Sequence, residues 1–277
     1  MSDDRAEFTV ARVVAALDAT SYAAETLQAV VELAARFSAE AAGLFIEDIN
    51  LLRLCDLPVT RHLGTFSGDA GIALGDMEEQ LRSLAADAEA ALKAAAGAHH
   101  LPWSFQILRG VPAKELTAAT APRDLLVVGH GREFRGLPLR LGSGLHEAIR
   151  RSTRSTLQVP KSPVLRQPIA VVLAGSPLLR RTLSAAVRLG DASARQLDVV
   201  VIGDSGAAEA TKREAAAWLG AQGFRVRFLP VSRLGELRRT VADNGHFLVI
   251  SADAVGSAGM KPEEGLAQEQ RSVMIVR

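Results

Sequence analysis

The segment VVAALDATS, Val13 to Ser21, returns in altered form as IAVVLAGSP, Ile169 to Pro177. Setting Val13 on Ile169 displaces one half of the chain along the other by 156 residues, and the agreement then continues without a gap. Leu17 meets Leu173, Thr20 meets Ser176, Thr26 meets Thr182, Leu27 meets Leu183, Ala29 meets Ala185 and Leu33 meets Leu189. Ile46 meets Ile202 and Asp48 meets Asp204. Both halves are rich in alanine and leucine, which inflates chance matches, yet unbroken agreement from Val13 to Asp48 marks an internal repeat.

Further along the displacement shortens. KEL, Lys114 to Leu116, faces GEL, Gly235 to Leu237; DLLVVG, Asp124 to Gly129, faces HFLVIS, His246 to Ser251; and LQV, Leu157 to Val159, faces MIV, Met274 to Val276. The first half therefore carries about 35 extra residues between Asp48 and Trp103. Within it, apolar runs predict strands at 9–17, 41–47, 103–109, 124–129 and 155–159, alternating with helical periods at 21–37, 77–96, 112–120 and 143–152. The second half reads as strands at 168–174, 197–203, 224–230, 246–251 and 272–276, with helices at 177–190, 207–222 and 233–242 and a loop after 251. This alternation predicts an α/β protein of two tandem open parallel-sheet domains, each with helices on both faces of its sheet. Three prolines in VPKSPVLRQP, Val159 to Pro168, mark a linker, so the domains are expected at 1–160 and 161–277. The segment 49–76 mixes apolar residues with glycines and shows no clean period. It is too apolar for a plain disordered linker and is expected to pack on its own domain or on a partner, the other reading being a lid over a ligand.

Composition bounds the function. Among 277 residues, 32 lysines and arginines nearly balance 31 aspartates and glutamates, so no global field points to nucleic acid or an acidic membrane. Cys55 is the single cysteine, which excludes an intrachain disulfide framework and suits a reducing compartment. MSDDRAEF lacks the parts of a signal peptide and no apolar run approaches a membrane span, so a cytoplasmic location is expected.

Chemistry concentrates after the fourth strand, in VVGHGREFRGLPLRLGSGLHE, Val127 to Glu147. In an open parallel sheet, ligands bind at the carboxyl ends of strands where strand order reverses, and a helix amino terminus there offers N–H donors to phosphate. Glycines let backbone approach the anion. Gly129 ends the strand and Gly142-Ser143 stands where the next helix begins. Asp18, at the end of the first strand, suits a magnesium ion bridging phosphates or a ribose hydroxyl; equally, Asp18 or Thr20 suits the cap of the following helix.

With these residues, the chain resembles the universal stress protein family in its tandem, two-copy form, over nearly its whole length. Nucleotide-binding members carry Gly, two residues, Gly, nine residues, then Gly-Ser or Gly-Thr after the fourth strand. The first glycine falls here on Gly129 and the last pair on Gly142-Ser143, but the middle one falls on Arg132, next to Gly131. The family's acidic turn, usually Asp-Gly-Ser, falls on Asp18, Ala19 and Thr20. The resemblance implies an ATP site with Mg2+ in the first half, a role in stress survival, and halves that pack like the subunits of a dimer, giving a monomer or a homodimer. Arg132 would strain a turn that needs positive φ, whereas Gly131 offers a neighbouring joint and Arg132, Arg135 and Arg140 add positive charge. In the second half Ala174 replaces Asp18 and Ser251 replaces Gly129, so at most one site is expected per chain.

Other signals are weaker. His99-His100 is expected to end a helix, RRSTRST (Arg150 to Thr156) to be a polar helix end rather than a phosphorylation site, and Trp103 and Trp218 to pack. No P-loop, nucleophile elbow or positioned general base is present, so catalysis is limited to slow ATP hydrolysis at most. Two readings follow: an adenine-nucleotide-binding regulator, and a nucleotide-free interaction scaffold.

Overall fold

A computed structural model describes residues 7–19, 23–55, 74–129, 145, 148, 151–160, 169–175, 177–190, 195–230, 247–257 and 271–277. Contacts divide the chain into two compact units, Arg12–Ser152, and Met1–Ala11 together with Thr153–Arg277. The division falls between Ser152 and Thr153, ahead of the prolines, and residues 161–168 lie outside the described residues.

In the first unit the order is β1 (Arg12–Leu17), α1 (Ala23–Phe37), β2 (Glu40–Asp48), α2 (Ile49–Cys55), α3 (Leu74–Ala98), β3 (Trp103–Gly110), α4 (Pro112–Ala119) and β4 (Asp124–Gly129). The strands lie side by side as β3-β2-β1-β4 and every pairing is parallel. Successive side chains on a strand point to opposite faces, so a strand with both faces covered reads as a continuous apolar run. Val13 to Leu17 and Leu125 to Val127 are accordingly buried without exception. One face is closed by Leu116 of α4 with Leu145 and Ala148, packed on Val14, Ala16, Leu44, Ile46, Leu126 and Val128. The other carries α1 and α3. On α1 the buried Leu27, Val30, Val31 and Ala34 recur at three- and four-residue intervals, the spacing of one helical face.

Gly43 is set by close packing on the α3 face. It stands in register with Phe105, and a Cβ there would press into the Phe105 ring and lie 3.3 Å from Leu92 Cδ2. Gly43→Val is therefore expected to cost about 1–3 kcal/mol in urea unfolding, the range for overpacking. Adding Phe105→Ala should restore part of it; an unchanged midpoint in the single variant would show that Phe105 turns aside freely.

The segment 49–76, which shows no clean period in the sequence, is a helix at both ends. Asp48 accepts the Asn50 N–H at 2.9 Å and starts α2, whose Leu51 and Leu52 are buried, and α3 begins at Leu74. Residues 56–73 lie outside the described residues. Asp204, matched to Asp48 by the repeat, does the same work: it accepts the Ala207 N–H at 2.9 Å and caps the next helix. The repeated aspartate is explained by capping, which satisfies a helix amide that otherwise has no partner. His99 and His100 form the turn that ends α3, His100 at φ 52.

The second unit runs β5 (Ser155–Val159), β6 (Ile169–Leu173), α5 (Leu179–Leu189), β7 (Gln196–Val201), α6 (Ser205–Ala221), β8 (Arg225–Phe228), β9 (Phe247–Ser251), α7 (Ala252–Ser257) and β10 (Val273–Val276). Its strands are ordered β5-β10-β9-β6-β7-β8. The pairings are parallel except one, since β5 lies antiparallel to β10 with Leu157 opposite Met274. The sheet is thus parallel but for that one pairing, and in place of the loop expected after 251, α7 follows β9 directly. Ahead of β1, Glu7 and Phe8 belong to this unit, and Phe8 is buried against α5.

Candidate functional site

The first unit's strand order places a ligand edge before any side chain is considered. From β1 the chain passes to β2 and β3 on one side, then returns to β4 on the other. At that reversal the connections after β1 and β4 leave for opposite faces and open a crevice at the strands' carboxyl ends. Ala16 is in register with Val128, so Leu17 stands level with Gly129 and Asp18 one residue beyond it. Asp18 is half-buried, while Ala19 and Gly129 are buried.

Ala19 occupies the place of a turn glycine, and its backbone shows why alanine is accepted. Among the described residues, the positions with a side chain and positive φ are Ser38, His100 and Arg195, so Ala19 is not one of them. Gly175, its match in the repeat, has φ +53 and needs glycine. The two turns follow different backbone courses.

Other charges at the same edge are already engaged. Arg109 Nε donates to Glu47 Oε2 at 2.9 Å and Arg109 Nη2 to Glu78 Oε1 at 2.5 Å, tying the ends of β2 and β3 to the first turns of α3. The hydrogen bond to Glu78, then the field of Glu47, raises the Arg109 guanidinium above its ordinary value. Sequence reading missed this triad, whose signal is a β2–β3 register that pairs Glu47 with Arg109. At the opposite edge, Arg12 Nε and Nη2 donate to Asp124 Oδ1 and Oδ2 at 3.1 and 2.5 Å, and Arg12 Nη2 also reaches the Ala119 carbonyl at 3.0 Å.

Thus the structure brings Asp18 and Gly129 together at the crevice. Thr20, Gly131, Arg132, Gly142 and Ser143 lie outside the described residues. Leu145 and Ala148, just beyond them, are helical and buried against Val128 and Leu126, so the chain returns to the sheet after residues 130–144.

Neither a protein-family model nor a curated protein matches the sequence. Among solved structures, the chain is similar to a universal stress protein from Archaeoglobus fulgidus DSM 4304, with a TM-score of 0.64 at 15% identity over 95% of this chain and 98% of that one. It is also similar to a functionally unknown protein from Pseudomonas aeruginosa PAO1, with a TM-score of 0.51 at 13% identity over 96% and 92%. The fold is that of the universal stress proteins.

The universal stress protein fold is built twice in this chain, and the two switch points differ. In the second unit β6 is flanked by β7 and β9, so the corresponding crevice lies between β6 and β9, whose ends carry Ala174 and Ser251. Ser251 is fully buried and its Oγ accepts the Ala254 N–H at 3.4 Å, capping α7. Strand therefore runs straight into helix there, whereas 15 residues separate Gly129 from Leu145 in the first unit. Asp253, in the first turn of α7, is exposed and places negative charge beside the donors an anion would use. Among the described residues, no cluster of three or more His, Cys, Asp and Glu is placed to hold a metal ion, and no helix is long and apolar enough to cross a membrane.

Proposed function

We propose that the chain is a regulatory protein of universal stress type that binds ATP at one site, in the crevice between β1 and β4 of its first unit. The observation that carries this reading is the meeting of Asp18 and Gly129 at the carboxyl ends of adjacent parallel strands where the connections reverse. In this reading the glycine-rich segment from Gly129 to Ser143 cradles the phosphates, with Gly131, Gly142 and Ser143 supplying close backbone approach and a hydroxyl. Arg132 adds charge to the same segment.

Asp18 alone is too small a donor set for a protein-held cation. It fits magnesium that arrives with the nucleotide and keeps its waters and phosphate oxygens as further ligands. Bound nucleotide would favour whichever state of the protein holds it better, which is the means by which a regulator without a catalytic base acts. A role in stress response and a cytoplasmic setting belong to this proposal. The rival, a nucleotide-free scaffold, is favoured by Arg132 standing where nucleotide-binding members carry glycine.

Isothermal titration of the nucleotide-stripped protein with ATP and magnesium tests the proposal. Saturable binding near one ATP per chain is expected. Asp18→Asn should weaken binding by about tenfold in magnesium and much less in EDTA, since it removes the carboxylate that meets the cation. Absence of heat and of thermal shift at millimolar ATP would leave the scaffold.

A further inference from the structure

Strand β3 is the outermost strand of the first unit's sheet: β2 pairs with it on one side, and no described strand lies on the other. Its register shows which peptide groups stay open. The Ala41 N–H donates to the Pro102 carbonyl at 2.9 Å while Ala41 lies level with Trp103, so Ser104, Gln106, Leu108 and Gly110 turn their peptide groups to β2. Trp103, Phe105, Ile107 and Arg109 therefore turn theirs outward, a row of donors and acceptors that no described strand meets. Side chains alternate between faces, so these same residues share the α3 side, where the Phe105 ring lies by Gly43 and Arg109 reaches Glu78.

Proteins usually blunt such an edge with shortness and charge. In the second unit the outermost strand, β8, spans four residues and exposes Arg225 and Arg227. By contrast β3 spans eight residues, and Arg109, its one charged residue, is already bound by Glu47 and Glu78. Ile107, 51% exposed, and Val111, 45% exposed, are the large apolar side chains that stand open among the described residues, and both belong to this edge. Val111 keeps extended dihedrals, φ −81 and ψ 121, so the edge continues one residue past Gly110 before α4 begins.

A second copy running antiparallel, with the twofold axis at Ile107, puts Ile107 opposite Ile107, Phe105 opposite Arg109 and Trp103 opposite Val111. The outward N–H and C=O groups then meet in hydrogen-bonded pairs, both exposed apolar side chains gain an apolar partner, and each guanidinium faces an aromatic ring. The two Arg109 residues stand about 14 Å apart along the strands, beyond the screening length of ordinary buffers. Neighbouring registers lose this match: an axis at Arg109 sets two guanidiniums face to face, and an axis at Phe105 sets Val111 against His99. We propose that the outer edge of β3 is a homodimer interface, in which two chains join their first units into one continuous sheet across Ile107. This surface is independent of the ATP reading.

Sedimentation velocity of the full chain, from micromolar to submillimolar concentration, should show a monomer–dimer equilibrium. Ile107→Lys should weaken it by about tenfold or more, because it sets like charges opposite each other on the axis. Urea unfolding of the dilute monomers should be the same for parent and variant, since the side chain is exposed there. In a Cys55→Ser background, Ile107→Cys should link two chains under mild oxidation, because a hydrogen-bonded antiparallel pair holds its Cα atoms about 5.5 Å apart, within disulfide reach. Val111→Cys, about 27 Å along the strands from its own copy, should not. Hydrogen exchange at the Ile107 amide should slow as concentration rises, whereas the Gln106 amide, bonded to β2, should not respond. A monomer at every concentration, or a dimer indifferent to Ile107→Lys and closed to the Ile107→Cys link, overturns the proposal. So does an Ile107 amide protected equally at all concentrations, since the chain itself then covers the edge.

Discussion

An Arg12→Met chain is expected to unfold with about 3 kcal/mol less free energy than the parent, the cost of leaving a buried carboxylate without its cation. The Asp124 side chain is 1% exposed and stands in register with Arg12 at the start of β4. Its Oδ2 also accepts the Ala121 N–H at 2.7 Å, so part of the charge stays satisfied after the arginine is gone. The hydrogen bond with Asp124 raises the Arg12 guanidinium above its ordinary value, which keeps it charged throughout the accessible pH range. Urea unfolding measures the effect, and Arg12→Met with Asp124→Asn should recover more than half, because the pair is replaced together. An unchanged midpoint in the single variant would mean that the Ala121 amide alone carries the carboxylate.

On the proposed reading, Gly142→Trp is expected to abolish saturable ATP binding, since an indole in the glycine-rich segment would fill the space the anion needs. Arg132→Gly should act in the opposite direction. Where the family's pattern places a glycine, a side chain costs about 1 kcal/mol in a left-handed turn, so on the proposed reading its removal would tighten binding about fivefold. Titration of both variants beside the parent decides between roles for Arg132. Weaker binding in Arg132→Gly would make the guanidinium a phosphate contact, and unchanged binding would remove Arg132 as the defect in the site.

The central strands of each unit's sheet were legible because they are covered on both faces. Val13 to Leu17 and Ile169 to Leu173 are apolar without interruption, and that is what a parallel, doubly covered strand requires. The direction in which β5 pairs was not legible. Ser155–Val159 has the composition of any buried strand, and its partner lies at the far end of the chain, a choice made by packing rather than by local pattern. The helix α2 spans seven residues, too short to display a helical period, although the match of Asp48 to Asp204 held the capping signal that would have found it. Asp18 and Gly129 were readable as strand ends, because a strand terminus follows from where the apolar run stops. The docking of Phe8 on α5 was hidden, since a lone aromatic ahead of the first strand carries no sign of which helix it meets.

The position of β10 also sets the order in which the two units can be completed on the ribosome. Every described strand of the first unit lies between Arg12 and Gly129, so its sheet can close while the rest of the chain is still being made. The second unit has no such freedom. Its β10 follows every other described strand in the chain, yet it stands between β5 and β9. Until β10 emerges, the edges of β5 and β9 that it pairs with stay open, a window in which a chaperone or a neighbouring nascent chain finds the backbone that β10 will later cover.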